Sequence, residues 1–466
     1  MKRRDFLKAS AACGMGLSLT GLAAGVSAEK SAVSKPNIVF IMADDLGFGD
    51  LGCYGNPVVQ SPNIDTFAQN SQTLTQYYSA GPVCKPTRVS FLTGKYPYKT
   101  GSRMTVDGRD PSLDVGFFPK ILQQAGYTTK VAGKWHVGHF PGGMDIIGFD
   151  EWSVCAPGGW CDYWDYTIHT KGNTEPSNGK YSTDMITESG LEFIERNQDN
   201  PFFLYLAYTA PHFPLQAPEE DIDPFRDNSD LEEGTKVVYG MIKRMDHGIG
   251  QILAKLKAKG LYDNTMVVFT SDNGPRFGAY KGLSQERYNG HLAGQKSYTL
   301  EGGIKVPAIV HWPQKYNCPC SYYPYMMHTV DWFKTLLTVA GADIPQGTDI
   351  DGDCYVDYLL NCKKGDDTKR YWSFNNVRPT SKSNSAMRDG DWKLNRPAIE
   401  SFKRWDQPAD LPLPDDIPDY ELYRIDKDPF EKNDISDEYP EKTKEMIRDF
   451  ENWFDAVMKK HRELNS

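Results

Sequence analysis

The sequence predicts an α/β fold: a mostly parallel central sheet sandwiched by helices, followed by a smaller C-terminal α+β subdomain with an antiparallel sheet. Three observations carry this. Short continuous apolar runs with β-branched residues recur through the first three quarters of the chain, the pattern of strands buried on both faces. Stretches with apolar residues at helical spacing separate them. After Gly341 the texture changes to Pro- and Asp-rich connections with short strand candidates. Strands alternating with helices make a layered, mostly parallel domain over 35–345. The change of texture sets a second unit at 346–466.

Residues 1–28 are set apart from the fold. Arg3-Arg4 precede Phe6-Leu7-Lys8, a weakly apolar Gly/Ala-rich run and the small residues Val26-Ser27-Ala28, which is the layout of a twin-arginine (Tat) export signal. A membrane anchor needs about 20 predominantly apolar residues, and Gly14, Gly16, Ser18, Thr20, Gly21 and Gly25 dilute this run. The expectation is export by the Tat machinery to the periplasm or outside the cell, with no stable membrane anchor.

The elements then follow in order. The run at 37–42 reads as a strand and stops at Asp44-Asp45. Pro86 reads as the first residue of a helix and Gly94 as its stop. Helical patterns cover 118–124, 184–196 and 237–259, the last with Val238, Met241, Ile242, Met245, Ile249, Ile252 and Leu253 on one face. Strands are expected at 202–207, 265–270 and 306–312. The tail offers strand candidates at 370–374, 386–394 and 421–425, then an amphipathic helix over 439–460. Asp349-Ile350-Asp351-Gly352-Asp353 reads as a surface turn, because its glycine is at the fourth position and a calcium loop needs it at the sixth.

The formal net charge is −10, from 52 basic and 62 acidic residues. The export signal carries an excess of basic residues, so the remainder is more acidic still. Nucleic acid is excluded as a partner on these grounds, and any anionic substrate must be drawn by a few cations focused in one pocket. Nine cysteines occur. Cys155/Cys161 and Cys354/Cys362 are local pairs that an oxidising compartment would allow.

In an open α/β sheet, ligands bind outside the carboxyl ends of the strands. Two expected strands end there on hard oxygen donors, Asp44-Asp45 and Asp272-Asn273. Three carboxylates and an amide oxygen suit Ca²⁺ or Mg²⁺, and no His/Cys ligand cluster accompanies them to favour zinc. Cys84 stands near a helix start, where the macrodipole and unpaired N–H groups favour an anion and Lys85 and Arg88 add positive charge.

Cys84-Lys85-Pro86-Thr87-Arg88 resembles the C-x-P-x-R core of the sulfatase family. The second signature of that family is matched by Gly126-Tyr127-Thr128-Thr129-Lys130-Val131-Ala132-Gly133-Lys134-Trp135-His136. "DDLGFGD" at 44–50, "APHFP" at 210–214, "SDNG" at 271–274 and Lys296 ahead of "EGGIKVP" follow in the same order, and the tail resembles the family's C-terminal subdomain. Lys85 and Lys305 depart from the residues usual there. The resemblance implies an alkaline-phosphatase-like fold and a Cys84 oxidised to formylglycine by a maturation enzyme. It also implies a divalent ion held by Asp44, Asp45, Asp272, Asn273 and the side chain at position 84.

By the same resemblance, the hydrated aldehyde attacks sulfur and its second hydroxyl then expels sulfate. Lys134 and Lys296 grip the sulfate oxygens, Arg88 orients the diol, His136 is the base and His212 the acid that protonates the leaving alcohol. The aromatic segment 151–166 and the export signal point to a sulfated carbohydrate as substrate. Two alternatives stay open at this point: a phosphonate or phosphate ester hydrolase of the same superfamily, and a non-catalytic, calcium-stabilised glycan-binding relative.

Overall fold

The run NIVFIMA forms strand β1 (Asn37–Ala43), buried at every residue. Its side chains alternate between two cores, as the two-residue period of a strand dictates. Ile38, Phe40 and Met42 enter one apolar cluster, and Val39, Ile41 and Ala43 enter another. A strand apolar on both sides needs a layer on each face. Burying each of its large side chains contributes about 1.5–3 kcal/mol.

The structure is a computed structural model and describes residues 35–101, 110–365, 369–404, 406–408 and 411–464. The expected export signal at 1–28 lies outside the described residues. Nine further strands join β1 in one sheet: β2 (Gln72–Leu74), β3 (Thr128–Lys134), β4 (Glu151–Ala156), β5 (Thr167–Thr170), β6 (Asn173–Pro176), β7 (Phe202–Ala207), β8 (Thr265–Ser271), β9 (Ala308–His311) and β10 (Tyr322–Tyr323). Across the sheet they run β10-β2-β9-β8-β1-β7-β3-β4-β5-β6. The five from β8 to β4 are parallel.

Helices α1 (Pro62–Gln69), α2 (Cys84–Thr93), α3 (Phe118–Gln124), α4 (Ser182–Arg196), α5 (Glu233–Ala258) and α6 (Trp332–Ala340) cover the faces. The Val39 side packs on α1, α4 and α5 through Ile64, Ile186 and Ile242. The Phe40 side packs on α2, α3 and α6 through Phe91, Phe118 and Trp332. Helix α2 is buried along its whole length, and Gly94 ends it at φ 67°.

A second, antiparallel sheet orders β11 (Arg370–Ser373), β12 (Ser385–Asp389), β13 (Trp392–Arg396) and β14 (Glu421–Arg424) in sequence. It packs on α7 (Pro440–Leu464), which presents Met446, Phe450, Phe454 and Val457 to Met387, Leu394 and Leu422. The described residues from Lys35 to Leu464 form one compact unit. Among the described residues no helix is long and apolar enough to cross a membrane.

Several expectations are corrected. The segment 306–312 starts its strand at Ala308, and β9 is antiparallel to both neighbours. The stretch 386–394 is a hairpin, because Gly390 at φ 58° turns the chain between β12 and β13. The helix expected to start at Pro86 begins at Cys84 itself, with Val83 as its cap. Cys362 pairs with Cys320, so it does not pair with Cys354, and Cys155 and Cys161 are both buried thiols. Asp351 is partly buried: it accepts from the Tyr96 N–H at 2.8 Å and from Lys99 at 2.7 Å.

Candidate active site

Parallel strands in register bring their carboxyl ends to one level. Met42 lies opposite Ala207 on one side, Ala43 opposite Ser271 on the other, and Gly133 opposite Ala207 one strand further. The residues that follow these ends therefore converge: Asp44-Asp45 after β1, Asp272-Asn273 after β8, His212 after β7, and Lys134 as the last residue of β3. All of them are buried. Helix α2 delivers Cys84 and Arg88 to the same place.

The contacts are specific. Lys134 Nζ donates to Asp44 Oδ2 at 2.5 Å. Lys296 Nζ reaches both oxygens of Asp45, at 2.6 and 2.9 Å. Arg88 donates from Nε to Asp272 Oδ2 at 2.9 Å, with its NH2 nitrogen 2.7 Å from the same oxygen. Asn273 Nδ2 donates to Asp45 Oδ1 at 2.8 Å. Asp44, Cys84 and Asp272 offer one ligand atom each within 4.8 Å of one another, and so do Asp44, Asp45 and His212.

The geometry thus gathers nine of the ten residues singled out in the sequence. The tenth, His136, is held differently. Its backbone N–H donates to the Pro157 carbonyl oxygen at 3.2 Å, and its ring lies against Gly159, where an added Cβ would sit within 3 Å of the imidazole. His212 Nδ1 lies 2.6 Å from the Phe213 carbonyl oxygen. The carbonyl can only accept, so Nδ1 carries the proton there, and Nε2 faces Asp45 Oδ2 at 3.8 Å.

Electrostatics follow from burial and pairing. Burial pushes the Asp44 carboxyl up, with Lys134 opposing it. Burial, and then the nearby Asp44 charge, raise Asp272 to about 6. Burial works against the Asp45 charge too, yet Lys296 and then His212 outweigh it and hold that carboxyl below the usual range. His212 is pushed well below the ordinary imidazole range by burial and then by Lys296.

A divalent ion fits this donor set. Asp44 Oδ1 and Asn273 Oδ1 are buried without a hydrogen-bond partner, a costly state that oxygen coordination to a cation would relieve. Sequence reasoning missed Arg287. It donates to Asp50 at 2.8 and 3.0 Å and to the Asp45 carbonyl at 2.8 Å, and so fixes the turn that aims Asp45, whose φ is 62°. The signal was a charge partner for the buried Asp50, far off in sequence and invisible to local pattern.

Oxygen donors ringed by lysines and an arginine, at the mouth of an alkaline-phosphatase-like sheet, define a hydrolase that handles an anionic ester. The Sulfatase family model matches residues 36–342, and the chain belongs to the sulfatase family; it is a sulfuric ester hydrolase. It is similar to N-acetylgalactosamine-6-sulfatase of Canis lupus familiaris, 34% identical over 378 residues, covering 74% of this chain and 69% of the relative. It is also similar to steryl-sulfatase of Homo sapiens, 30% identical over 70% of each chain. The solved structure of Ps i-CgsB in complex with k-i-k-neocarrahexaose matches with TM-score 0.78 and 28% identity, over 90% of this chain and 93% of that one.

Proposed function

We propose that the protein hydrolyses a sulfate ester of a carbohydrate, through a formylglycine made from Cys84, and acts after export to the periplasm or outside the cell. The observation that carries this is Cys84 at the first residue of α2, within ligand reach of Asp44 and Asp272. The similarity to an N-acetylgalactosamine-6-sulfatase and to a structure holding a neocarrahexaose supports a carbohydrate substrate.

Asp44, Asp45, Asp272 and Asn273 would hold Ca²⁺ or Mg²⁺, which supplies Lewis-acid polarisation and a lowered hydroxyl pKa. Formylglycine supplies a gem-diol, one hydroxyl for attack on sulfur and one to expel sulfate. Around them the chain's own residues do the positioning. Lys134 and Lys296 place positive charge on the sulfate oxygens, where negative charge grows in the transition state. Arg88, clamped to Asp272, orients the side chain at position 84. His212, its Nδ1 proton held on the Phe213 carbonyl, presents Nε2 to the leaving oxygen and acts as the acid once Nε2 is protonated as well, a state that burial opposes and the negative charge of a bound sulfate ester favours. His136 takes the proton whose loss releases sulfate.

Peptide mass spectrometry across residue 84 of natively matured protein tests the proposal, together with sulfate release from saccharide sulfates. The expected modified peptide is about 18 Da lighter than its cysteine form, as exchange of a thiol for an aldehyde requires. An intact thiol in active enzyme would overturn the nucleophile. Faster turnover of the matched phosphate ester would favour the phosphoester reading instead.

A further inference from the structure

Beside the sulfate cluster, on the His212 side, the structure builds a second surface. The His212 imidazole stacks on Phe213 with centroids 4.2 Å apart. The Trp160 indole, 58% exposed, lies 6.4 Å from the Phe213 ring at 34°. The Arg276 guanidinium lies over the Phe213 ring, 4.5 Å from its centroid.

Arg276 follows the expected metal ligand Asn273 by three residues, and its segment is tied to the sulfate-gripping loop. Phe277 N donates to Gln295 Oε1 at 2.7 Å, and Lys296 N donates to the Pro275 oxygen at 2.8 Å. The tryptophan loop is anchored from the other side, where Tyr163 Oη donates to the His212 oxygen at 2.9 Å and Tyr163 N to Gln216 Oε1 at 2.8 Å.

We propose that Arg276 is a specificity residue that reads a second anionic group on the substrate's leaving sugar, whose ring lies on the shelf formed by Phe213 and Trp160. The inference rests on the carbohydrate-sulfate reading above and deepens it: the substrate carries two acidic groups, one cleaved and one recognised. His212 faces the leaving oxygen, so whatever lies beyond that oxygen meets the shelf first. Aromatic faces suit the apolar face of a sugar ring. A guanidinium stacked on a ring is oriented by it, and its N–H donors project in their own plane in a fork that matches the two oxygens of a sulfate or carboxylate. In a chain of net charge −10, a cation this close to the cluster offsets the overall repulsion of a doubly charged substrate.

The test compares the metal-loaded wild type, Arg276→Ala, Arg276→Lys and Trp160→Ala on three saccharides of one skeleton. One carries a single sulfate, one a second sulfate, and one a uronate carboxylate in place of the second sulfate. Sulfate release reports the reaction, while calorimetric binding of the corresponding non-hydrolysable sulfonates reports recognition without turnover. Arg276→Ala is expected to weaken binding and raise KM at least tenfold for a doubly anionic saccharide, with kcat kept and the singly sulfated one changed less than twofold. Arg276→Lys should recover part of the loss, and whichever second anion shows the larger change is the one read. Trp160→Ala should weaken all three alike. Equal changes on all three saccharides in Arg276→Ala, or none on any, would overturn the inference. Absence of sulfate release from every saccharide by the wild type would instead sink the carbohydrate reading, and the binding data still decide Arg276.

Discussion

At the scale of single residues, the candidate site is a set of buried charges that neutralise one another. His212 is the place where leaving-group chemistry shows. A positioned general acid contributes about 10²–10⁴-fold, but only when the departing oxygen needs a proton. We therefore expect His212→Ala to lower kcat/KM by ~10²–10³ on an alkyl or sugar sulfate and by less than tenfold on an activated aryl sulfate. Equal losses on the two would remove His212 from the acid role. The metal prediction has a readout independent of turnover. At 100 times its dissociation constant, Ca²⁺ or Mg²⁺ should stabilise the wild type by about 2.7 kcal/mol. Asn273→Ala removes one of the two unpartnered buried oxygens of the candidate metal site, the other being Asp44 Oδ1, so its melting temperature should respond to added ion much more weakly. An unchanged response would show that the ion binds elsewhere.

At the scale of elements, strand β3 sets the site and was the hardest to read. Its sequence TTKVAGK has no apolar run, although six of its seven residues are buried. Lys130 buries its stem and keeps its ammonium near Glu151, 3.7 Å away, and Lys134 is neutralised by Asp44, so tertiary pairing replaces hydrophobicity in the pattern. Gly133, at φ 105°, marks a register shift that turns Lys134 into the site. A Cβ there would overlap the Ala207 carbonyl oxygen. Gly133→Ala should therefore cost about 3 kcal/mol or more, measured by denaturant unfolding. Gly126→Ala is the control: φ is 88° and nothing lies within 4 Å of the added carbon, so only the conformational strain of about 1 kcal/mol remains. By contrast β1, β7, β8 and α3 were legible almost to the residue, because strands buried on both faces and an amphipathic helix write their burial directly in apolar pattern. The direction of β9 was not legible, since alternation carries no sign. The convergence of Asp44, Asp45, Asp272 and Asn273 could be read because strand ends in a parallel sheet share one edge; Arg287 and the shelf at Phe213 lie on loops whose approach no local pattern records.

At the scale of the whole molecule, the second sheet is tied by a buried charge cluster to the short helix Glu301–Ile304 that precedes β9. Lys393 of β13 lies 3.0 Å from Glu301 and 2.7 Å from Glu431, all three side chains fully or almost fully buried. Glu301 also accepts from Tyr78 Oη at 2.8 Å, and Arg388 donates to that hydroxyl at 2.6 Å. Two carboxylates share one lysine, so they divide. Burial opposes both charges, but Lys393 and then Arg388 bring Glu301 down to about 2, while Glu431 is pushed up to about 7. The folded state thus keeps a proton on Glu431 that the unfolded chain releases near pH 4.5. Between those values the unfolded state binds fewer protons, so stability falls as pH rises from about 4.5 to about 7. Asp331, raised to about 6 mainly by burial, slopes the same way, which makes the wild-type curve alone undiagnostic. Glu431→Gln keeps an amide that can accept from the Glu301 N–H, a bond of 2.6 Å in the wild type, and cannot titrate. Its melting temperature should fall less over that pH range, by ~3 °C across the window. Parallel curves for the two proteins would show that Glu431 is ionised throughout and that Lys393 balances both carboxylates at once.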